Sequence, residues 1–169
     1  VVGTSGINEE HLSELTSLFT NSNCIVVPNF SISAILLMHL SEIATPYFST
    51  IEILEFHHNN KIDAPSGTAL ATAERISRNL TEDLRDPTTD LTLEGARGAK
   101  AQGNIPIHSV RMEGMLAHQE VIFGSTGQTL TIRQDSSDRS SFMPGVLMAI
   151  KGIPNLAGVN IGLETLMDV

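Results

Sequence analysis

The chain has 169 residues, 41 % of them apolar and 17 % charged, with a formal net charge of −9 and an isoelectric point near 5.0. These values describe one globular domain or two small interdependent lobes and exclude a disordered chain. The acidic balance argues against bulk nucleic-acid binding, which needs a basic face, so no nucleic-acid partner is expected.

Val1 and Val2 read as the end of a buried strand and Gly3-Thr4-Ser5-Gly6 as the loop after it. Asn8 can cap a helix over residues 9–20, with Glu9 and Glu10 well placed in its first turn and Leu12, Leu15 and Phe19 as its apolar stripe. Residues 24–28 form a short apolar strand, broken at Pro28-Asn29-Phe30. A helix over roughly 31–45 stops before Pro46. Strand, loop, helix, strand, helix is the rhythm of a parallel α/β sheet, of which only the last part is expected here.

Cys24 is the only cysteine, which forbids an intrachain disulfide and fits a reducing compartment, hence a cytoplasmic protein. Its neighbours in CIVVP make it a packing residue rather than a nucleophile. The longest apolar run, Ile32 to Leu40, is interrupted by Ser33 and His39 and falls far short of the ~20 residues a membrane helix needs. No membrane association is expected, and VVGTSG carries no sign of a secretory signal.

From Ile51 the pattern changes. In IEILEFHH, Ile51, Ile53, Glu55 and His57 share one strand face and Glu52, Leu54, Phe56 and His58 the other. After a turn at Asn59-Asn60 comes a helix of about residues 65–80, with Ala69, Ala73, Ile76 and Leu80 on one face. Residues 81–104 read as a long polar loop. Three strands then follow at hairpin spacing, IPIHSVRM, the run around HQEVIFG, and TLTIRQDS, with a turn at Gly124 to Gly127. A last helix over 141–153 would bury Phe142, Val146, Ala149, Ile150 and Ile153. The fold expected is α/β, with an α+β part built on a mixed, largely antiparallel sheet and helices on one face.

The chemistry concentrates in residues 55–70, EFHHNNKIDAPSGTAL. His57 and His58 face opposite ways, but the strand ends at the Asn-Asn turn, so both can reach one site from its mouth. Lys61 follows, and Pro65-Ser66-Gly67-Thr68 opens a helix whose unpaired N–H groups favour carboxylate or phosphate. Gly67 permits close approach, Thr68 adds a hydroxyl donor, and Lys61 a charge-assisted bond. The reading is a small-anion site with a titratable imidazole available as acid or base. A zinc site drawn from His57, His58, His108 and His118 lacks convergent spacing, so no metal is expected. Ser66 lies outside a G-x-S-x-G elbow, and Gly95 and Gly98 neither follow a strand nor open a helix.

The stretch EFHHNNKIDAPSGTA closely resembles the dihydrodipicolinate reductase signature, E-x-H-H-x-x-K-x-D-x-P-S-G-T-A, and GTSG at 3–6, VPNFSISA at 27–34, IPIHSVRMEGMLAHQEVIFG and SSDRSSFMPGV also resemble that family, its actinobacterial members above all. The resemblance implies an oxidoreductase of lysine and diaminopimelate biosynthesis that reduces a cyclic unsaturated dicarboxylate with NADH or NADPH. It implies His57, as proton donor, and Lys61 as catalytic residues; His58, Lys61, Gly67 and Thr68 as substrate ligands; and Gly3, Thr4, Ser5, Val27, Pro28, Asn29, Phe30 and, more weakly, Arg139 at the cofactor. It also implies a homotetramer. Residues 1–30 and 141–169 would belong to the Rossmann-like dinucleotide-binding domain, and 31–140 to the substrate and oligomerisation domain. Two positions depart from the pattern: Ser5 replaces the usual threonine, and Gln134 a common histidine. No G-x-x-G-x-x-G loop precedes the resemblance, so this stretch alone is expected to bind NADH poorly and turn over little. The alternatives are a cofactor-free dicarboxylate-binding or oligomerising fragment and a metal-dependent hydrolase.

Overall fold

The structure, a computed structural model, describes residues 1–4 and 6–167. They form two compact units, Val1–Ile35 with Arg139–Val169, and Leu36–Asp138.

In the first unit, α1 (Glu9–Leu18) starts at Asn8, whose side chain accepts from the His11 N–H at 2.9 Å while His11 Nδ1 accepts from the Asn8 N–H at 3.3 Å. It ends at Leu18 rather than residue 20, because Thr20-Asn21-Ser22-Asn23 offer side chains that compete for the backbone. Leu12, Leu15 and Phe19 are its half-buried stripe. β1 (Cys24–Val26) is buried throughout and pairs in parallel with β7 (Val159–Ile161). Val2 bridges Val26, also in parallel. Cys24 packs in this core.

α4 (Met143–Gly152) follows a short 3-10 turn at Arg139–Phe142. A Cβ on Gly145 would stand 2.1 Å from the Phe30 carbonyl oxygen, so a bare backbone is what allows this helix to lie against the segment after β1. That close approach also sets the helix face. Gly145 and Ala149 are buried and Phe142, Val146 and Ile153 half-buried, while Ile150, expected inside, is 52 % exposed.

α2 (Ile32–Ala44) gives its first residues to this unit and the rest to the second. It ends before Pro46, which lies in a short 3-10 turn at Thr45–Tyr47.

The second unit holds a five-stranded sheet in the order β3-β4-β2-β5-β6. The strands are β2 (Thr50–His57), β3 (Ala99–Lys100), β4 (Pro106–Arg111), β5 (Ala117–Ser125) and β6 (Gln128–Ser136). β4 runs parallel to β2, and every other pairing is antiparallel. β5 and β6 form the expected hairpin, turning at Thr126-Gly127 with Gly127 at φ 78°. β4 and β5 do not pair, contrary to the hairpin spacing. β2 lies between them; none of its residues from Ile51 to His57 is exposed, so its backbone N–H and C=O groups need a partner along each edge. The expected loop over 81–104 contains β3 and a 3-10 turn at Gln102–Asn104.

The inner face of the sheet is legible row by row. Ile51 is opposite Phe123, and Phe123 opposite Leu130. The next row is Ile107, Ile53, Val121 and Ile132. α3 (Gly67–Ser77) covers this face with Ala69, Ala73 and Ile76, all fully buried, and its Thr72 Oγ1 accepts from Gln119 Nε2 of β5 at 2.7 Å. The helix starts at Gly67, not 65, because Ser66 is its cap and accepts from the Ala69 N–H at 3.2 Å. It stops at Ser77, so Leu80 continues the face from outside the helix. Arg75 of α3 pairs with Glu42 of α2 through two bonds of 2.7 and 2.9 Å. Among the described residues no helix is long and apolar enough to cross a membrane.

Candidate active site

Two residues beyond Ile53, the inner face of the sheet turns polar. Ser109, Glu55, Gln119 and Gln134 stand in one row, and Arg111, His57, Ala117 and Ser136 in the next. Glu55 is fully buried. Such a carboxylate is tolerated only when its charge and lone pairs are answered. Arg111 answers with a two-pronged bond, Nη2 to Oε1 at 2.8 Å and Nη1 to Oε2 at 3.0 Å, and His57 Nδ1 bonds the same Oε2. Burial pushes the Glu55 carboxyl upward, but the bonds from His57, Arg111 and Ser109 outweigh it and hold the group at about 2, well below its usual 4.5. Glu55 is therefore ionised throughout the neutral range.

The second Arg111 nitrogen, Nη2, also donates to the Asp63 carbonyl oxygen at 2.7 Å. This bond ties the strand end to the loop that carries Lys61. In that loop Lys61 N–H bonds the His58 carbonyl at 3.1 Å, and Lys61 Nζ donates to both Asp63 oxygens at 2.7 and 2.8 Å. The Lys61 ammonium holds the Asp63 carboxyl below its usual value. A cis Ala64–Pro65 bond then leads to the Ser66 cap, and a Cβ placed on Gly67 would meet nothing within 4 Å. The space above the first turn of α3 is open.

Of the residues singled out by sequence, His57 and the Lys61 loop are thus connected, through Glu55 and Arg111. His58 follows β2 and supplies the carbonyl that closes the Lys61 turn. Gly67 and Thr68 form the first turn of α3. His108 and His118 are elsewhere, opposite Leu54 and Phe56 on the reverse face, bonded to Glu52 and Asp135 at 2.7 Å each. Among the described residues no three His, Cys, Asp or Glu side chains gather as metal ligands would.

Gly3, Thr4, Val27, Pro28, Asn29 and Phe30 are in the other unit. Gly3 follows Val2 and the 27–30 segment follows β1, so both segments leave the carboxyl ends of adjacent parallel strands. That is the edge where open α/β sheets take nucleotides. Ser5 lies outside the described residues. Arg139 opens the turn before α4 and is exposed.

The comparisons with known proteins bear on this arrangement. The family described as dihydrodipicolinate reductase, C-terminus, matches residues 33–169. The chain belongs to the dihydrodipicolinate reductase family. A 4-hydroxy-tetrahydrodipicolinate reductase of Corynebacterium urealyticum is 51 % identical over 100 % of this chain and 70 % of its own length. Another, from Moorella thermoacetica, is 50 % identical over 99 % of this chain and 63 % of its own. A dipicolinate-bound dihydrodipicolinate reductase from Paenisporosarcina sp. TG-14 superposes with a TM-score of 0.86 at 45 % identity, covering 98 % of this chain and 63 % of that one. The chain therefore spans roughly two thirds of the reductases it matches.

Sequence reasoning passed over Glu55 and Arg111. Both carried a signal: Glu55 shares the face of Ile51 and Ile53, and Arg111 shares the face of Ile107. A charge in phase with core residues announces a buried partner.

Proposed function

We propose that this chain carries the substrate-binding and proton-donating part of a 4-hydroxy-tetrahydrodipicolinate reductase in lysine and diaminopimelate biosynthesis. The observation that carries the reading is the linkage of His57 to the Lys61 loop through Glu55 and Arg111, in a fold shared with a dipicolinate-bound relative.

One substrate carboxylate takes the Lys61 ammonium from Asp63 and meets His58 and the helix start at Gly67 and Thr68. A charge at a helix start gains about 0.3–1 kcal/mol when exposed and up to about 2 when partly buried, so the ammonium and the helix start reinforce each other. His57 gives a proton to the electron-rich enamine carbon that reduction creates. Positive charge on the carboxylates stabilises electron density building in the ring. The reduced nicotinamide of NADH or NADPH, when bound, supplies the hydride. Gly3, Thr4, Ser5, the 27–30 segment and Arg139 hold that half of the cofactor. In this reading residues 1–30 and 141–169 are nucleotide-binding and 31–140 substrate-binding, and the protein works as a cytoplasmic homotetramer.

Calorimetric titration with pyridine-2,6-dicarboxylate tests the site. Saturable binding by the unaltered chain, weakened about tenfold or more in Lys61→Ala, is expected from loss of one charge-assisted contact. Absence of saturable binding, or equal affinity in both proteins, overturns the assignment.

A further inference from the structure

We propose that Glu55 is a positioning residue that fixes His57 with its proton on Nδ1, so that Nε2 is the nitrogen that delivers a proton to substrate. The inference rests on the reading of His57 as proton donor, and it goes beyond it by assigning the nitrogen and the group that selects it.

At a fully buried carboxylate every hydrogen-bond donor and acceptor must match. Glu55 is ionised, so it can only accept. Both of its oxygens are engaged by Arg111, and Oε2 also faces His57 Nδ1. Nδ1 must therefore donate, in the neutral imidazole as well as in the imidazolium. When His57 gives up its Nε2 proton, that N–H bond breaks and its electron pair stays on Nε2. The new C–H bond uses the pair of the enamine carbon. The remaining imidazole proton stays on Nδ1, facing Glu55, so no rearrangement follows the transfer.

The groups around the carboxylate are fixed in turn. Arg111 belongs to β4, Ser109 stands beside Glu55 in the same row, and Gln119 stands on its other side. Arg111 is anchored twice more, by Nη1 to the Val110 carbonyl at 2.9 Å and by Nη2 to that of Asp63 at 2.7 Å. Its guanidinium cannot turn away and release Glu55 without losing these bonds as well.

Replacement by an amide makes a specific forecast. In Glu55→Gln the single amide oxygen goes to Arg111, which has only donors to offer. The NH2 group then occupies the place of Oε2, against His57 Nδ1, and must donate to it, while Arg111 Nη1, which loses Oε2 as an acceptor, keeps the Val110 carbonyl at 2.9 Å. The imidazole proton moves to Nε2.

The experiment is 1H–15N long-range NMR of the imidazoles in this chain, at a pH where His57 is neutral, in the unaltered protein and in Glu55→Gln. The expected result is an Nδ1–H tautomer in the first and an Nε2–H tautomer in the second. An Nε2–H or mixed tautomer in the unaltered protein overturns the proposal, and this arm needs no variant to fold. The same tautomer in both proteins overturns it as well. Pyridine-2,6-dicarboxylate affinity of Glu55→Gln is expected within about twofold of the parent, since Lys61 and the α3 start are untouched. Failure of the parent to bind the dicarboxylate would sink the functional reading while the tautomer result still judged Glu55.

Discussion

The two halves of the sheet's inner face make an instructive pair. Ile53 and Glu55 stand two residues apart on one strand, and both are fully buried; so are Val121 and, to within 2 %, Gln119 beside them. The apolar half is held by non-directional packing, and any side chain of the right volume serves it. The polar half has one solution. Both Glu55 oxygens are held by Arg111 and His57 at fixed directions, and losing either strands a buried carboxylate. A chain that needs a precisely aimed imidazole places it where geometry is dictated by bonds rather than by volume.

The contrast can be broken from either side. Phe123, fully buried against Phe48 with ring centroids 5.6 Å apart, should cost about 3–5 kcal/mol as Phe123→Ala. Arg111→Ala should cost a similar amount, about 3–5 kcal/mol, because it leaves the Glu55 charge buried without its guanidinium partner. Urea unfolding reads both, and pH separates them. The cavity penalty at Phe123 should not change with acid, whereas the Arg111→Ala penalty should shrink as Glu55 takes up a proton.

Acid should also sharpen the difference in the unaltered protein. Glu55 is depressed from 4.5 to about 2 in the folded chain. A depressed carboxyl contributes stability that is present above pH 4.5 and disappears as pH falls toward 2. The amount is on the order of 3 kcal/mol, measured as the drop in unfolding free energy between pH 6 and pH 2 that Glu55→Gln lacks.

The smallest effect belongs to the junction of the halves, where Ser66 caps α3. Ser66→Ala should cost about 1 kcal/mol and Ser66→Gly only a few tenths, by thermal unfolding.

Much of this was readable in the chain. Period-two alternation in IEILEFHH put Ile51, Ile53, Glu55 and His57 on one face, and that is the buried face. Asn8 announced α1 by its capping chemistry alone, whereas Ser66 was not read as a cap, which put the expected start of α3 two residues early. The partners of β2 were not readable. Spacing suggested a hairpin between β4 and β5, because local sequence cannot say that a strand from much earlier inserts between them. Arg111 was overlooked for the same reason: its bond to Glu55 exists only once β4 lies parallel to β2. The exposed Ile150 reflects a helix face chosen by a glycine's closeness to Phe30, which hydrophobic periodicity does not register.

The position of β2 at the centre of its sheet also governs how the chain is made. Leu54 pairs with His108 on one side and with Glu120 on the other, and both lie downstream. During synthesis β2 therefore emerges with both edges unpaired; β4 can close one of them, and the other stays open until β5 has left the ribosome. The β5–β6 hairpin closes through a two-residue turn and can form within microseconds. Joining β2 to its neighbours is a long-range event and the slower one. In the interval the strand that carries His57 has an open edge, the state in which this chain is most exposed to mispairing with copies of itself.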